Sequence, residues 1–196
     1  MSGSRQPVGT KNPRTFQCGE DVKSTKSATR QARRTATLLE LAQFAHAQWF
    51  FGNVYEAIVR VPERLADSVS DRIDRRPTSL LGAGSPVRYY VPAAPVAVAS
   101  TLGAVITARG NARGRRWLAI SSGCWVSGAA LTAYLVRKVN IRLFFASDAA
   151  TLPPPAGREA LLRTWYRLNV LRIAAAGGAL FATYRAKRAT LEVLNT

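Results

Sequence analysis

The sequence predicts an all-α fold: a polytopic membrane protein built as an up-down bundle of four transmembrane helices, with both termini cytoplasmic. Three observations predict it. Two windows of 20 residues, Tyr89 to Ala108 and Trp117 to Val136, contain no Asp, Glu, Lys or Arg, and each matches the roughly 20 residues that cross a bilayer's hydrocarbon core. Two shorter windows free of those residues, Leu41 to Tyr55 and Ile173 to Tyr184, flank them. The 28 Lys and Arg, set against 11 Asp and Glu in 196 residues, punctuate these windows instead of forming a contiguous stripe.

That last point decides between the two partners a net charge of +17 suggests. A nucleic-acid surface gathers its arginines into a patch with interleaved aromatics, whereas membrane proteins collect them at span ends. The bilayer is therefore the expected partner and nucleic acid is not. With 47% hydrophobic residues the chain has too much apolar surface for a charge-swollen disordered polymer. Cys18 and Cys124 lie in dissimilar surroundings and there is a single histidine, so neither a disulfide nor a metal site is expected.

Taken in order, residues 1–36 read as a disordered basic tail, 37–188 as the transmembrane domain and 189–196 as a C-terminal tail. The first span, about 37–60, is rich in aromatics and encloses Glu40 and Glu56. A loop with an Arg75-Arg76-Pro77 and a Gly82 to Pro86 break follows, in which Arg64 to Arg75 reads as a short surface helix. The second span, about 89–108, has Pro92 and Pro95 in its first turns, where a missing N–H costs least. Arg109 to Arg116, with four arginines, makes a tight hairpin to the third span, about 117–138. After a second long loop broken at Pro153 to Gly157, the fourth span, about 164–185, encloses Arg167 and Arg172. Each charge at mid-depth costs about 2.5 to 3.5 kcal/mol on insertion scales, so these residues call for a reason.

Orientation follows from the same charges. The tail, the hairpin and the C-terminus carry eight, four and three basic residues with three acids; the two long loops carry eleven with six acids. The short arginine-rich hairpin weighs most under the positive-inside rule, which predicts a multi-pass plasma-membrane protein.

On a helical wheel His46, Trp49, Asn53 and Glu56 share one face of the first span, and Trp165, Asn169, Arg172 and Ala176 share one face of the last. At about 1.5 Å rise per residue, Asn53 and Asn169 fall at a common depth of roughly 10 Å, Glu56 at about 6 Å and Arg172 at about 13 Å. An Arg side chain spans the difference. The two stripes are expected to meet in a Glu56–Arg172 ion pair flanked by the asparagines, in the non-cytoplasmic half. Such a cluster serves either as a functional site or as a lock on helix register. For His46 a structural hydrogen bond is the plain alternative, Cys124 with Ser121, Ser127 and Gly128 reads as a small-residue packing seam, and Tyr89, Tyr90 and Trp117 read as interfacial aromatics.

The residues Trp165-x3-Asn169-x2-Arg172, Asn140 after the third span and Asn53-x-Tyr55-Glu56 resemble the four-span membrane family of unknown function that includes the anthrone oxygenases. With Ser85-Pro86-x2-Tyr89-Tyr90, the arrangement is similar to an actinobacterial branch of uncharacterised membrane proteins, over about residues 37–188. The resemblance implies cofactor-independent oxygenation of a small lipophilic aromatic substrate at an activated methylene. It implies Glu56 as base, Arg172 with Asn169 or Asn53 as stabiliser of the enolate, and Trp165 and Trp49 as an aromatic wall; His46 and Asn140 complete the expected substrate-binding set. The alternative expectation is a non-enzymatic scaffold or accessory subunit that binds a membrane protein partner.

Overall fold

The computed structural model describes residues 14–67, 87–108, 111–144 and 153–194. Among them the regular structure is entirely helical: α1 (Arg14–Ile58), α2 (Val61–Asp67), α3 (Val87–Tyr90), α4 (Ala93–Thr107), α5 (Ala112–Leu135), one π-helical turn (Val136–Asn140), α6 (Ile141–Phe144) and α7 (Pro155–Leu194). The all-α expectation holds. Two stretches, Arg88–Thr107 and Ala112–Phe144, are long and apolar enough to cross a membrane; they coincide with the second and third expected spans. Composition alone does not qualify α1 and α7, which enclose Glu40, Glu56, Arg167 and Arg172.

Four expected boundaries are corrected: α5 starts at Ala112, inside the expected 109–116 hairpin, α7 starts at Pro155, inside the expected 153–157 break, and both tails are shorter than expected. The disordered tail expected through residue 36 gives way to helix at Arg14, and α7 runs to Leu194 through what was expected as a tail from 189. The reason is local. Between Arg14 and Val61 there is no proline, and Ala, Arg, Gln and Lys favour helix, so nothing stops α1 from propagating. Its polar part is also docked: Gln31 Nε2 donates to the Thr107 carbonyl at 2.9 Å, and Thr35 Oγ1 donates to Thr107 Oγ1 at 2.9 Å. The short surface helix exists as α2, starting at Val61; its expected continuation to Arg75, the 75–77 and 82–86 breaks, Arg109 and residues 1–13 lie outside the described residues.

The ends follow ordinary rules. α1 stops where Arg60 takes a left-handed conformation, φ 55°, just before Val61-Pro62, and Arg60 Nε is held by Glu63 Oε1 at 3.0 Å. Pro92 sits at the N-cap of α4 and Pro155 opens α7, positions where the missing N–H would be unpaired anyway. Asn111 caps α5 by accepting from the Gly114 N–H at 2.9 Å while its Nδ2 donates to the Ala189 carbonyl at 3.0 Å, tying the hairpin to α7.

Packing is pairwise and antiparallel. α7 lies along both α5 and α1, and α1 along α4. The contact faces are lined by small residues, among them Ala42, Ala45, Ala97, Ala104, Ala176, Ala179, Ala182 and Ala186, all buried, which lets the backbones approach closely. At Gly178 a Cβ would meet Cys124 Sγ at 3.0 Å, part of the seam expected from the sequence, whereas Ser127 lies on the exposed face and donates to the Gly123 carbonyl of its own helix. Ser121 crosses the same seam, with its Oγ 2.7 Å from Thr183 Oγ1 and donating to the Ala179 carbonyl at 3.1 Å.

Large apolar residues face outward instead. On α1, Leu41, Phe44, Phe51, Tyr55 and Ile58 form an exposed stripe, Phe44 at 71% and Ile58 at 74%. His46, Asn53 and Glu56 lie buried on the other side. The most apolar windows of Arg88–Thr107 and Ala112–Phe144 are only 28% and 17% buried, the opposite of a soluble protein's core helix. Apolar clusters close the ends of the interior: Leu135, Val139, Leu143, Phe144 and Trp165 at one, Leu39, Ala104, Ala108, Leu118 and Ala186 at the other.

The glycines of α1 and α5 test this packing. A Cβ at Gly52 would lie 2.7 Å from Tyr89 Cε1 and 2.8 Å from the Tyr90 hydroxyl, and Tyr90 is buried, so it has little room to yield. Gly52→Ala is expected to cost about 1 to 3 kcal/mol through overpacking. Gly123→Ala, with nothing within 4 Å of the new Cβ, should be neutral or gain up to about 1 kcal/mol from helix propensity. Thermal unfolding of detergent-extracted protein measures both.

Candidate functional site

The two polar stripes meet where α1, α5 and α7 converge below the Leu135–Trp165 cluster. Arg172 Nη1 lies 4.0 Å from Glu56 Oε2, both side chains nearly inaccessible at 5% and 11% exposure. Nη1 also donates to Asn169 Oδ1 at 3.2 Å, and Nε donates to Thr132 Oγ1 at 3.1 Å. Asn169 Nδ2 donates to the Asn53 carbonyl at 3.2 Å, confirming the common depth of the two asparagines. Tyr90 donates to Asn53 Oδ1 at 3.3 Å. At 4.0 Å the ion pair is electrostatic without a direct hydrogen bond, so the guanidinium is oriented by Thr132 and Asn169 and only neutralised by Glu56.

A cavity of about 50 Å³ opens among these groups, lined by Glu56, Tyr90, Thr132, Asn140, Trp165 and Arg172 together with the apolar side chains of the end cluster. The π-helical turn delivers Asn140 there. One additional residue in the turn shifts the helix register, with Ile141 N–H bonding the Val136 carbonyl five residues back, and such bulges recur at functional sites. Asn140 Oδ1 and Asn53 Nδ2 are buried with no hydrogen-bond partner in the described structure. An acceptor orphaned on the wall of a polar cavity marks a place for a small hydrogen-bonding molecule. By volume the chamber takes one or two waters.

On the outer side of Glu56 and Tyr90 lies a second, open groove of about 500 Å³, lined by Phe51, Gly52, Tyr55, Glu56, Val61, Tyr89 and Tyr90. Its walls are aromatic and its one carboxylate is Glu56. Gly52 makes it possible, because Tyr89 and Tyr90 press where a Cβ would stand. Glu56 and Tyr90 therefore form a partition, with a groove of ligand-pocket size on one face and a water-sized chamber on the other.

Of the residues expected from the sequence, Glu56, Asn53, Asn169, Arg172, Asn140 and Trp165 come together here. Trp49 stands one layer back, its ring 4.9 Å from that of Tyr90, where it backs Tyr90 instead of walling the groove. His46 is elsewhere: Nε2 lies 3.4 Å from Thr101 Oγ1, and the ring borders a separate 20 Å³ void with Cys124 and Gly128. That is the structural hydrogen bond named as the alternative. Tyr90 and Thr132 were missed. Tyr90 reads as an interfacial aromatic beside Tyr89, but only Tyr89 is exposed; the helix break at Val91-Pro92 turns Tyr90 inward. Thr132 had a signal, since extending the Ser121–Gly128 seam by four residues reaches it.

A buried pair of this kind has a characteristic mutational pattern. Arg172→Met or Glu56→Leu alone leaves an uncompensated buried charge and should cost about 3 to 5 kcal/mol. The double substitution should recover most of that loss, because both charges go together. Thermal unfolding of the four proteins checks the cycle; equal, additive losses would mean that the two charges do not interact.

No protein-family model matches the chain, and no curated protein or solved structure does either.

Proposed function

We propose that the chain is a four-span membrane protein of the anthrone-oxygenase-like kind, with both termini cytoplasmic. In this reading it oxygenates a lipophilic aromatic substrate at the groove beside Glu56 without a cofactor. The observation that carries the reading is the partition: one buried carboxylate, braced by Arg172, borders both an aromatic groove open to the protein's apolar exterior and a small polar chamber. The outward stripe of Leu41, Phe44, Phe51, Tyr55 and Ile58 supports membrane embedding of α1. Exposed Val170, Leu171, Phe181 and Tyr184 support it for α7, because apolar surface of this extent is stable against lipid tails and not against water.

The chemistry follows from the positions. A flat aromatic ketone with an activated methylene fits the groove between Phe51, Tyr55 and Tyr89. Glu56 removes the methylene proton, and the Tyr90 hydroxyl, turning its proton from Asn53 Oδ1, donates to the oxygen of the resulting enolate. The electron-rich enolate passes one electron to dioxygen, and the radical pair joins as a C–O bond, giving a hydroperoxide after protonation. Loss of the second methylene hydrogen as a proton with cleavage of the O–O bond releases water and leaves a new carbonyl. One substrate and one O₂ thus give one quinone and one water. Arg172, behind Glu56, is a positioning residue that holds the carboxylate's place and charge, and Trp49 braces Tyr90.

The competing reading is a non-catalytic scaffold. It is favoured by α1, which begins at Arg14, 17 residues before the Gln31 that docks on Thr107, about 25 Å of further helix. Oxygen consumption separates the two. Detergent-solubilised protein given an anthrone-type substrate should consume oxygen one-to-one with substrate, and Glu56→Gln, which keeps the shape, should slow this by about 10² or more. Equal rates for the two proteins would remove the catalytic reading and leave the scaffold.

A further inference from the structure

At the opposite end of the molecule α5 and α7 frame a small basic recess of about 80 Å³, lined by Arg113, Trp117, Arg185, Arg188, Ala189 and Glu192. Three guanidinium groups against one carboxylate leave a net charge of +2. Arg113 Nη1 contacts Glu192 Oε2 at 3.4 Å with both side chains more than half exposed, so that pair closes one rim. Arg185 is held differently. Its guanidinium carbon lies 5.1 Å from the Trp117 ring centroid and 6.0 Å from that of Phe181, and those two rings meet edge to face. The attraction between the cation and the two ring faces holds the guanidinium at the aromatic floor of the recess. In the described structure neither Arg185 nor Arg188 has a carboxylate partner.

The recess also sits beside the start of α5, whose first turn holds no acidic residue while Arg113, Arg115 and Arg116 crowd it. The N-terminal end of a 24-residue helix carries partial positive charge of its own. Helix and side chains thus present unneutralised positive charge to one small volume, with an aromatic floor. In the bilayer this level is the headgroup region of the leaflet at the hairpin end, where Trp117 and Arg185 meet the lipid surface.

We infer that this recess is a binding site for the phosphate of an anionic phospholipid, which Arg185 and Arg188 grip while the acyl chains lie along the apolar outer faces of α5 and α7. The inference rests on the membrane reading above and is independent of the oxygenation. A guanidinium already held beside an indole by a cation–π contact loses less freedom on binding a phosphate than a free one, and basic recesses between spans at a membrane face are suited to such headgroups.

Native mass spectrometry of the full-length protein in detergent, doped with phosphatidylglycerol or phosphatidylcholine, tests it. Wild type should retain the anionic lipid in preference. Arg185→Gln with Arg188→Gln should weaken that retention by about 30-fold, at about 5-fold per arginine. Arg142→Gln with Arg163→Gln, which removes the same charge at the other end, should leave it unchanged. Equal retention of both lipids, or an equal effect of the two double variants, overturns the assignment. So does displacement of the lipid by inorganic phosphate at matching concentration, which would make the site one for soluble anions. Arg188→Gln alone, at an exposed position without a partner to lose, reports the effect if the double variant folds poorly. Retention of the protein in alkaline-carbonate-washed membranes is read on the same preparations, so failure of the lipid site is distinguished from failure of the membrane reading.

Discussion

The Glu56–Arg172 pair is the constraint around which the structure is arranged. Two opposite charges at 5% and 11% exposure are tolerable only if each keeps the other and the remaining donors find acceptors. Here the acceptors come from three different helices: Asn169 from α7 itself, Thr132 from α5 and, through Asn169, the Asn53 carbonyl of α1. Satisfying one guanidinium thus sets the relative depth of α1, α5 and α7. A shift of either neighbour by one residue, about 1.5 Å along its axis, would break the set. The small-residue faces at Ala176, Ala179 and Gly178 then bring the backbones close enough for these bonds to form.

The same pair divides space. Because the carboxylate is anchored from behind, it stands as a wall with Tyr90, and the two volumes on either side differ about tenfold, near 500 and 50 Å³. In the proposed reaction the larger takes the flat aromatic substrate, while the smaller has the size of one or two waters. An enzyme that must bring a lipophile and dioxygen to one carboxylate, and release water, needs both. A lock on helix register alone would need neither, and that difference weighs for a site over a bare structural lock.

Much of this was legible in the residues. The spacing His46, Trp49, Asn53, Glu56 and the spacing Trp165, Asn169, Arg172 are periodic, and a constant rise per residue turns periodicity into depth, so the meeting of the asparagines and of the two charges could be read before any coordinates. What escaped lies where regularity fails. The break at Val91-Pro92 reorients Tyr90, and the π-helical turn that carries the expected Asn140 onto the chamber wall has no composition of its own. The extension of α1 back to Arg14 escaped for another reason. Charge content marked that segment as a tail, but polar helix formers beside a stable helix need only one docking contact, which Gln31 and Thr35 make with Thr107. His46 shows the limit of a helical wheel, since its angle matches the site while its depth sets it against Thr101 instead.

The whole account depends on a polar stripe of α1 turned inward and an apolar stripe turned to lipid. Spin labels placed one at a time at Phe44, Phe51 and Ile58, with Ala45 as the buried comparison, test this most directly in bilayer-reconstituted protein. The account predicts that the first three labels relax strongly with dissolved oxygen and hardly at all with a water-soluble nickel chelate, while the Ala45 label responds to neither. Ready access of the nickel chelate to Phe44 and Phe51 would place α1 in water and contradict the account.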